Sequence, residues 1–160
     1  MDGIQAAKWE MVEAGGRTAQ SFGLSRLVGQ IYMLLFLSPG AMSLDQIAAQ
    51  LGISKASASI ACRQLESWGA VRRLWMKGDR KSYYAAETNL LRILDGGLLP
   101  SLMKKLQSAR IQIERSRRLL EEGDGDPEQK QFIRERLDQA ESYRSKIEAL
   151  LENPIVRRIL

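Results

Sequence analysis

Ser43 and Ser54 each stand directly before a short run whose apolar residues recur at helical spacing, and Gly52 lies between the two runs. A serine in that position accepts a hydrogen bond from an amide of the first helical turn, which no residue inside the helix can satisfy. Ser43 therefore predicts a helix over 44–50, with Leu44, Ile47, Ala48 and Leu51 on one face. Ser54 predicts a second helix over 55–67, and Gly52 permits the sharp turn between them. Two short helices joined by a tight glycine-containing turn form a helix-turn-helix.

Beyond Gly69 the pattern becomes extended. The stretches 70–76 (AVRRLWM) and 81–86 (KSYYAA) are compatible with strands, and Lys77-Gly78-Asp79-Arg80 between them reads as a hairpin turn. A two-stranded ribbon directly after the second helix makes a winged helix. The expected fold is mainly α with a small β-wing: a winged helix-turn-helix with an N-terminal helix and two long C-terminal helices.

The flanks fill in that outline. Residues 4–22 read as a helix ending near Gly23, with Ile4, Ala7, Met11 and Val12 on one side. Ser25 is placed to cap a helix over 26–37 that Ser38-Pro39-Gly40 stops. A long helix is expected from a Thr88 or Asn89 cap to Glu122, bent at Gly96-Gly97 or at Pro100, and another over 128–152 after a Gly- and Asp-rich linker. Neither can bury its own apolar stripe, which calls for an antiparallel pair or a second subunit. The expected division is 1–22 as an N-terminal helix contributing to dimerisation, 23–87 as the winged helix, and 88–160 as a helical dimerisation region, with a loose or packed tail at 155–160.

Charge is concentrated in the same place. The chain has 24 basic and 19 acidic residues. Residues 54–85 hold seven of the basic side chains and two acids, so one fifth of the length carries the whole excess of five positive charges. A focused cationic patch displaces counterions along a polyanion, which diffuse basicity does not do.

Enzyme readings are weak. With no histidine the commonest general base and neutral metal ligand are missing, and one cysteine gives neither a disulfide nor a zinc site. No phosphate-cradling GxGxxG or GxxxxGK[ST] occurs. The reading is therefore no catalysis, no cofactor and no metal. The longest apolar run, residues 31–37, is far short of a bilayer span, and the N-terminal residues include acids without an apolar core. A cytoplasmic protein without a membrane partner is expected.

The second helix explains why the charge sits there. Ala58, Ala61, Cys62 and Leu65 share a face suited to burial, which turns Lys55, Ala56, Ser57, Ile60, Arg63 and Gln64 outward, with Ser59 at the margin. In a DNA major groove Arg63 suits guanine, Gln64 adenine, and Ala56 or Ile60 a thymine methyl. Ser43, Ser54 and Ser57, with the helix N-termini they cap, suit phosphate oxygens. Lys77 and Lys81 are expected on the DNA backbone, and at most one of Arg72 and Arg73 can face the duplex, since neighbours on a strand point oppositely. Cys62 is expected to be a buried filler, and Trp68 to pack the helix on the ribbon.

Ser54-Lys55, Ser59, Arg63, Leu65, Trp68-Gly69, Val71, Gly78, Arg80 and Tyr83-Tyr84, preceded by Gly23-Leu-Ser-Arg26, Gly29 and Leu34, resemble the GbsR-type branch of the MarR superfamily of bacterial winged-helix regulators. The resemblance runs from Gly23 to Glu87, with departures at Ala56, where glycine is common, and Gln30, where a basic residue is common. It implies a homodimer on a palindromic double-stranded DNA operator that represses or activates nearby genes, often those for osmolyte uptake or synthesis. It also implies a wing Arg80 inserted in the minor groove, and an osmolyte-type effector such as glycine betaine or choline held by aromatic rings. Asp79 beside DNA is explained by pairing with an arginine, or by a turn-stabilising ion pair with Arg80. The alternative is a winged helix used for protein–protein interaction. Lys55, Arg63 and Arg80 argue against it, because such a face presents apolar residues instead.

Overall fold

The computed structural model describes residues 2–159. The chain forms two compact units, Met1–Leu98 and Leu99–Leu160. The first contains α1 (Gly3–Ser21), α2 (Arg26–Phe36), β1 (Met42–Ser43), α3 (Leu44–Leu51), α4 (Lys55–Ser67), β2 (Val71–Trp75), β3 (Ser82–Ala86), α5 (Leu90–Ile93) and a π-helical turn, Leu94–Leu98. The second contains α6 (Leu99–Glu122), α7 (Pro127–Glu152) and α8 (Pro154–Ile159). The N-terminal helix thus packs within the first unit, against α2. Among the described residues no helix is long and apolar enough to cross a membrane.

The two serine caps form as their positions require. Ser43 Oγ accepts the Gln46 amide at 3.2 Å while Gln46 returns its side-chain oxygen to the Ser43 amide, a complete capping box. Ser54 Oγ accepts the Ser57 amide at 3.1 Å. Gly52 closes α3 at φ 64°, left-handed backbone that only glycine adopts without cost. Ser25 precedes α2 but makes no side-chain cap.

One element escapes the sequence reading. Met42 and Ser43 form a third strand, antiparallel to β3, with Met42 opposite Tyr84 and Ser43 opposite Tyr83. The sheet order is β1-β3-β2, so the start of the helix-turn-helix is hydrogen-bonded to the wing.

The core of the first unit lies between α2, α3, α4 and the sheet. Ile31, Leu34, Ile47, Ala58, Cys62 and Val71 are fully or almost fully buried, joined by Leu65 and Tyr84. Burying each large aliphatic side chain contributes about 2 kcal/mol. Trp68 is half-buried against this cluster. In α1, of the four residues expected on one side, Val12 is buried in the core, but Ile4, Ala7 and Met11 remain exposed, and Trp9 packs half-buried beside Val12's cluster. The contact with α2 runs instead through small residues. A Cβ built on Gly29 lies 2.1 Å from the Gly15 carbonyl oxygen, and one on Gly15 lies 2.3 Å from Met33 Cγ. A second close approach explains the bend near Gly96-Gly97: a Cβ on Gly97 meets the Trp68 carbonyl carbon at 2.0 Å, so π-helical backbone sits directly on the end of α4.

The second unit is a helical hairpin held largely by charge. No residue of α6 is buried, and α7 buries only Arg144, 7% exposed. Arg144 donates to Glu141 at 2.8 and 2.9 Å and to Glu148 at 2.5 Å. Arg117–Asp138 (2.6 Å) and Arg134–Glu121 (2.7 Å) bridge α6 and α7. Leu106, Ile113, Leu120 and Leu137 are half-buried, while Leu102, Ile111, Leu119, Phe132, Ile147 and Leu150 stay exposed, so the apolar stripe is only partly covered within the unit.

The glycine crossing is testable. Gly29→Ala should destabilise the first unit by about 2 kcal/mol through overpacking against rigid backbone, seen as a lowered thermal midpoint. Gly3→Ala, whose Cβ meets nothing within 4 Å, should leave the midpoint level or slightly raised.

Candidate nucleic-acid interface

The small residues on one face of α4 set the geometry of the site. Ala58, Ala61 and Cys62 are buried with Leu65, so α4 lies close against the core and turns its other face outward. On that face Lys55, Ala56, Arg63 and Gln64 are exposed, Ile60 is 61% exposed, and Ser57 and Ser59 are at its half-buried edge. Ser54 Oγ and Ser57 Oγ are hydrogen-bonded to each other at 2.8 Å, so the two hydroxyls form one polar pair at the helix start.

Ser43 leaves the set of expected phosphate contacts. It is 4% exposed, paired in the sheet, and its hydroxyl serves the capping box. The reading took a cap for an exposed helix end because the strand that buries it comes from residues forty positions away.

Asp79 also differs from expectation. Among the described residues its carboxylate pairs with no arginine side chain; Oδ2 accepts the Tyr83 hydroxyl at 2.7 Å and Oδ1 the Lys81 amide at 2.9 Å. These donors hold the Asp79 carboxyl below the usual carboxylate range, the Tyr83 hydroxyl contributing most, and the Asp79 carboxylate in turn pushes the Tyr83 phenol up. Gly78, at φ 83°, makes the turn possible. Lys77, Arg80 and Lys81 are exposed around this locked tip.

Strand register separates the two adjacent arginines. Arg73 lies opposite Tyr84, on the sheet face that carries the buried Val71 and Ala86 and packs on α4; Arg72 lies on the other face. Arg72 Nε approaches Glu87 at 4.0 Å. Arg73 donates Nε and Nη2 to Ser82 Oγ at 2.9 and 2.6 Å and stacks 4.8 Å from the Trp75 ring centre, which fixes a cation and an exposed indole on the α4 side. The sequence reading left Arg73 and Trp75 out of the site. Their alternation with Val71 was the available signal.

Asp45 was missed as well. In the first turn of α3, its Oδ1 lies 3.1 Å from Lys55 Nζ at the start of α4 and its Oδ2 3.5 Å from Lys81 Nζ on the wing. The Lys55 ammonium, then that of Lys81, holds the Asp45 carboxyl below its ordinary value. Through Asp45, α4 and the wing bring a cation each to one place on the first unit.

Residues 22–81 match the MarR family model. That match covers the helix-turn-helix and the wing turn, well under half of the chain. Curated proteins of similar sequence include HTH-type transcriptional repressor GbsR of Bacillus subtilis, 24% identical over 104 residues, which are 65% of this chain and 57% of that protein. HTH-type transcriptional regulator MmpR5 of Mycobacterium tuberculosis is 33% identical over 81 residues, 50% of this chain and 49% of that protein. HTH-type transcriptional repressor OpcR of Bacillus subtilis is 24% identical over 87 residues, 54% of this chain and 47% of that protein. The chain spans about half the length of the curated relatives it matches. A solved structure titled as that of a transcriptional regulator aligns with a TM-score of 0.67 at 23% identity, covering 96% of this chain and 98% of the other, and establishes the fold.

Away from the charged face, α1 and α2 border an open apolar cleft of about 360 Å³, lined by Met11, Thr18, Phe22, Tyr32 and Met33 among others and by no charged side chain. The Tyr32 hydroxyl points past it, donating to the Glu87 carbonyl at 2.9 Å. Cys62 is inert by contrast with these open features: burial, reinforced by Glu66, pushes its thiol up to about 12. At pH 8 the folded protein should carry roughly a thousandfold less thiolate than an unfolded chain with the ordinary thiol pKa. Alkylation of the native protein should accordingly be slow and accelerate on addition of denaturant.

Proposed function

We propose that the chain is a homodimeric, sequence-specific regulator of transcription, a repressor, that binds double-stranded DNA at a palindromic operator. Helix α4 enters the major groove, where Arg63 and Gln64 donate to base edges and Ala56 and Ile60 meet thymine methyls. Lys55 and the Ser54–Ser57 pair contact phosphate, with Ser59 at the margin. The wing lies along the minor groove with Arg80 at its tip, Lys77 and Lys81 on the backbone, and Asp79 holding the turn.

The observation that carries this reading is the cationic surface shared by α4 and the wing, fixed by Asp45 between Lys55 and Lys81. The names of GbsR, MmpR5 and OpcR support it. Dimerisation is supported by the exposed apolar stripes of α6 and α7 and by the need for two half-sites about one helical turn apart. The cleft between α1 and α2 is the proposed place for a small effector. With Phe22 and Tyr32 as its aromatic walls and no carboxylate, it suits an apolar or weakly polar molecule better than the quaternary ammonium of glycine betaine or choline.

Binding of a labelled duplex from the protein's own upstream region, against random duplex over a range of salt, tests the reading. Arg63→Ala should cost about 1–3 kcal/mol on the specific duplex and little on the random one. Arg80→Ala should weaken both and lower the salt slope by about one. Equal, salt-insensitive binding of both duplexes, unchanged in either variant, contradicts it and moves the reading to a protein-interaction module.

A further inference from the structure

Seven basic side chains lie in residues 54–85, and two of them, Lys55 and Lys81, converge on one carboxylate. Asp45 is half-exposed, as are both lysines, so the trio sits on the outer surface and not in the core. Its position is built from three directions. The Ser43 capping box orients the first turn of α3 and carries Asp45 with it. Lys55 is the first residue of α4, behind the Ser54 cap. Lys81 is held from the other side, its backbone amide donating to Asp79, which in turn receives the Tyr83 hydroxyl. The chain of bonds runs from α3 through Asp45 to the wing tip.

An acid at the centre of a cationic surface is costly for binding a polyanion, since it cancels one positive charge and repels phosphate. It also occupies the ammonium of Lys55, in the first turn of α4, and that of Lys81 on the wing. Loose binding to arbitrary DNA draws its free energy from cations that replace counterions, so every cation held back weakens it. A complex in which α4 is seated on its proper bases has further contacts to offset the exchange. Exposed ion pairs of this kind are weak and yield readily to phosphate when the geometry brings phosphate close.

We propose, on the footing of the DNA-binding reading, that Asp45 is a specificity-determining residue: it sequesters Lys55 and Lys81 from the backbone of arbitrary DNA and releases them in the seated complex. It also acts as a positioning residue, bracing the wing against α3 and α4 in the free protein. Discrimination then arises at a carboxylate that reads no base.

The test is equilibrium binding of the full-length protein to a random-sequence duplex and to its own upstream duplex, from low to about 0.3 M salt. Wild type, Asp45→Asn and Asp45→Glu are compared, each with its thermal midpoint. In Asp45→Asn, affinity for random duplex should rise roughly three- to tenfold, the salt slope should steepen by about one to two, and the preference for the upstream duplex should fall. Asp45→Glu, which keeps the charge, should stay near wild type. In a Lys55→Met/Lys81→Met background the gain from Asp45→Asn should shrink by more than half. Unchanged or weaker random binding in Asp45→Asn at an unchanged thermal midpoint overturns the proposal, and so does a gain that persists in full without the two lysines. A lowered midpoint is handled by the double-lysine background, where the carboxylate has no ammonium to lose. Wild-type protein that binds neither duplex at low salt removes the DNA-binding reading itself, an outcome distinct from either failure of Asp45.

Discussion

The candidate interface depends on the pairing of Met42 and Ser43 with Tyr84 and Tyr83. Two residues of strand seem slight, yet they join the entry of the helix-turn-helix to the middle strand of the sheet. Ser43 belongs to both elements: it pairs with β3 and caps α3 in the same breath of chain. Because the pairing fixes where α3 begins, it fixes Asp45, the second residue of that helix. Tyr84, buried beneath the pair, fills the space between sheet and helices. Without this ladder the wing is an isolated two-stranded ribbon, which is marginal in water.

The opposite surface of α4 supplies the second condition. Alanine and cysteine on its buried face let the helix approach the core closely, and the outward side chains inherit a fixed orientation from that contact. Gly97 does similar service at the other end, allowing backbone to lie against Trp68 and Gly69 where any side chain would collide. The first unit is thus organised by small residues at its contacts and by large ones in its core. The second unit follows a different rule. Its helices are bridged by arginine–carboxylate bonds, while several of their apolar residues stay exposed.

Much of the fold was legible because capping and turn chemistry are local. Ser43, Gly52, Ser54 and Asn89 mark helix ends through bonds to residues within four positions, and the Lys77–Arg80 turn shows in four letters. What the sequence hid was non-local. The strand at Met42 and Ser43 has no alternation to announce it, and its burial of Ser43 depends on β3. The α1 contact was misjudged because large apolar side chains were weighted over glycines, whereas the helices meet at Gly15 and Gly29. In the candidate site, the outward face of α4 followed from periodicity, but nothing near Asp45 in sequence labels it; its lysines lie 10 and 36 residues downstream. Asp79 was assigned an arginine on charge alone, and a tyrosine hydroxyl across the wing turn took that place.

Hydrogen exchange of the full chain, with and without duplex from its own upstream region, tests the central claim most directly. The account predicts new protection in residues 54–64 and 76–81 on adding the duplex, and less with random duplex. Protection confined to α1 and α2 or to the α6–α7 hairpin, with α4 and the wing unchanged, would contradict it.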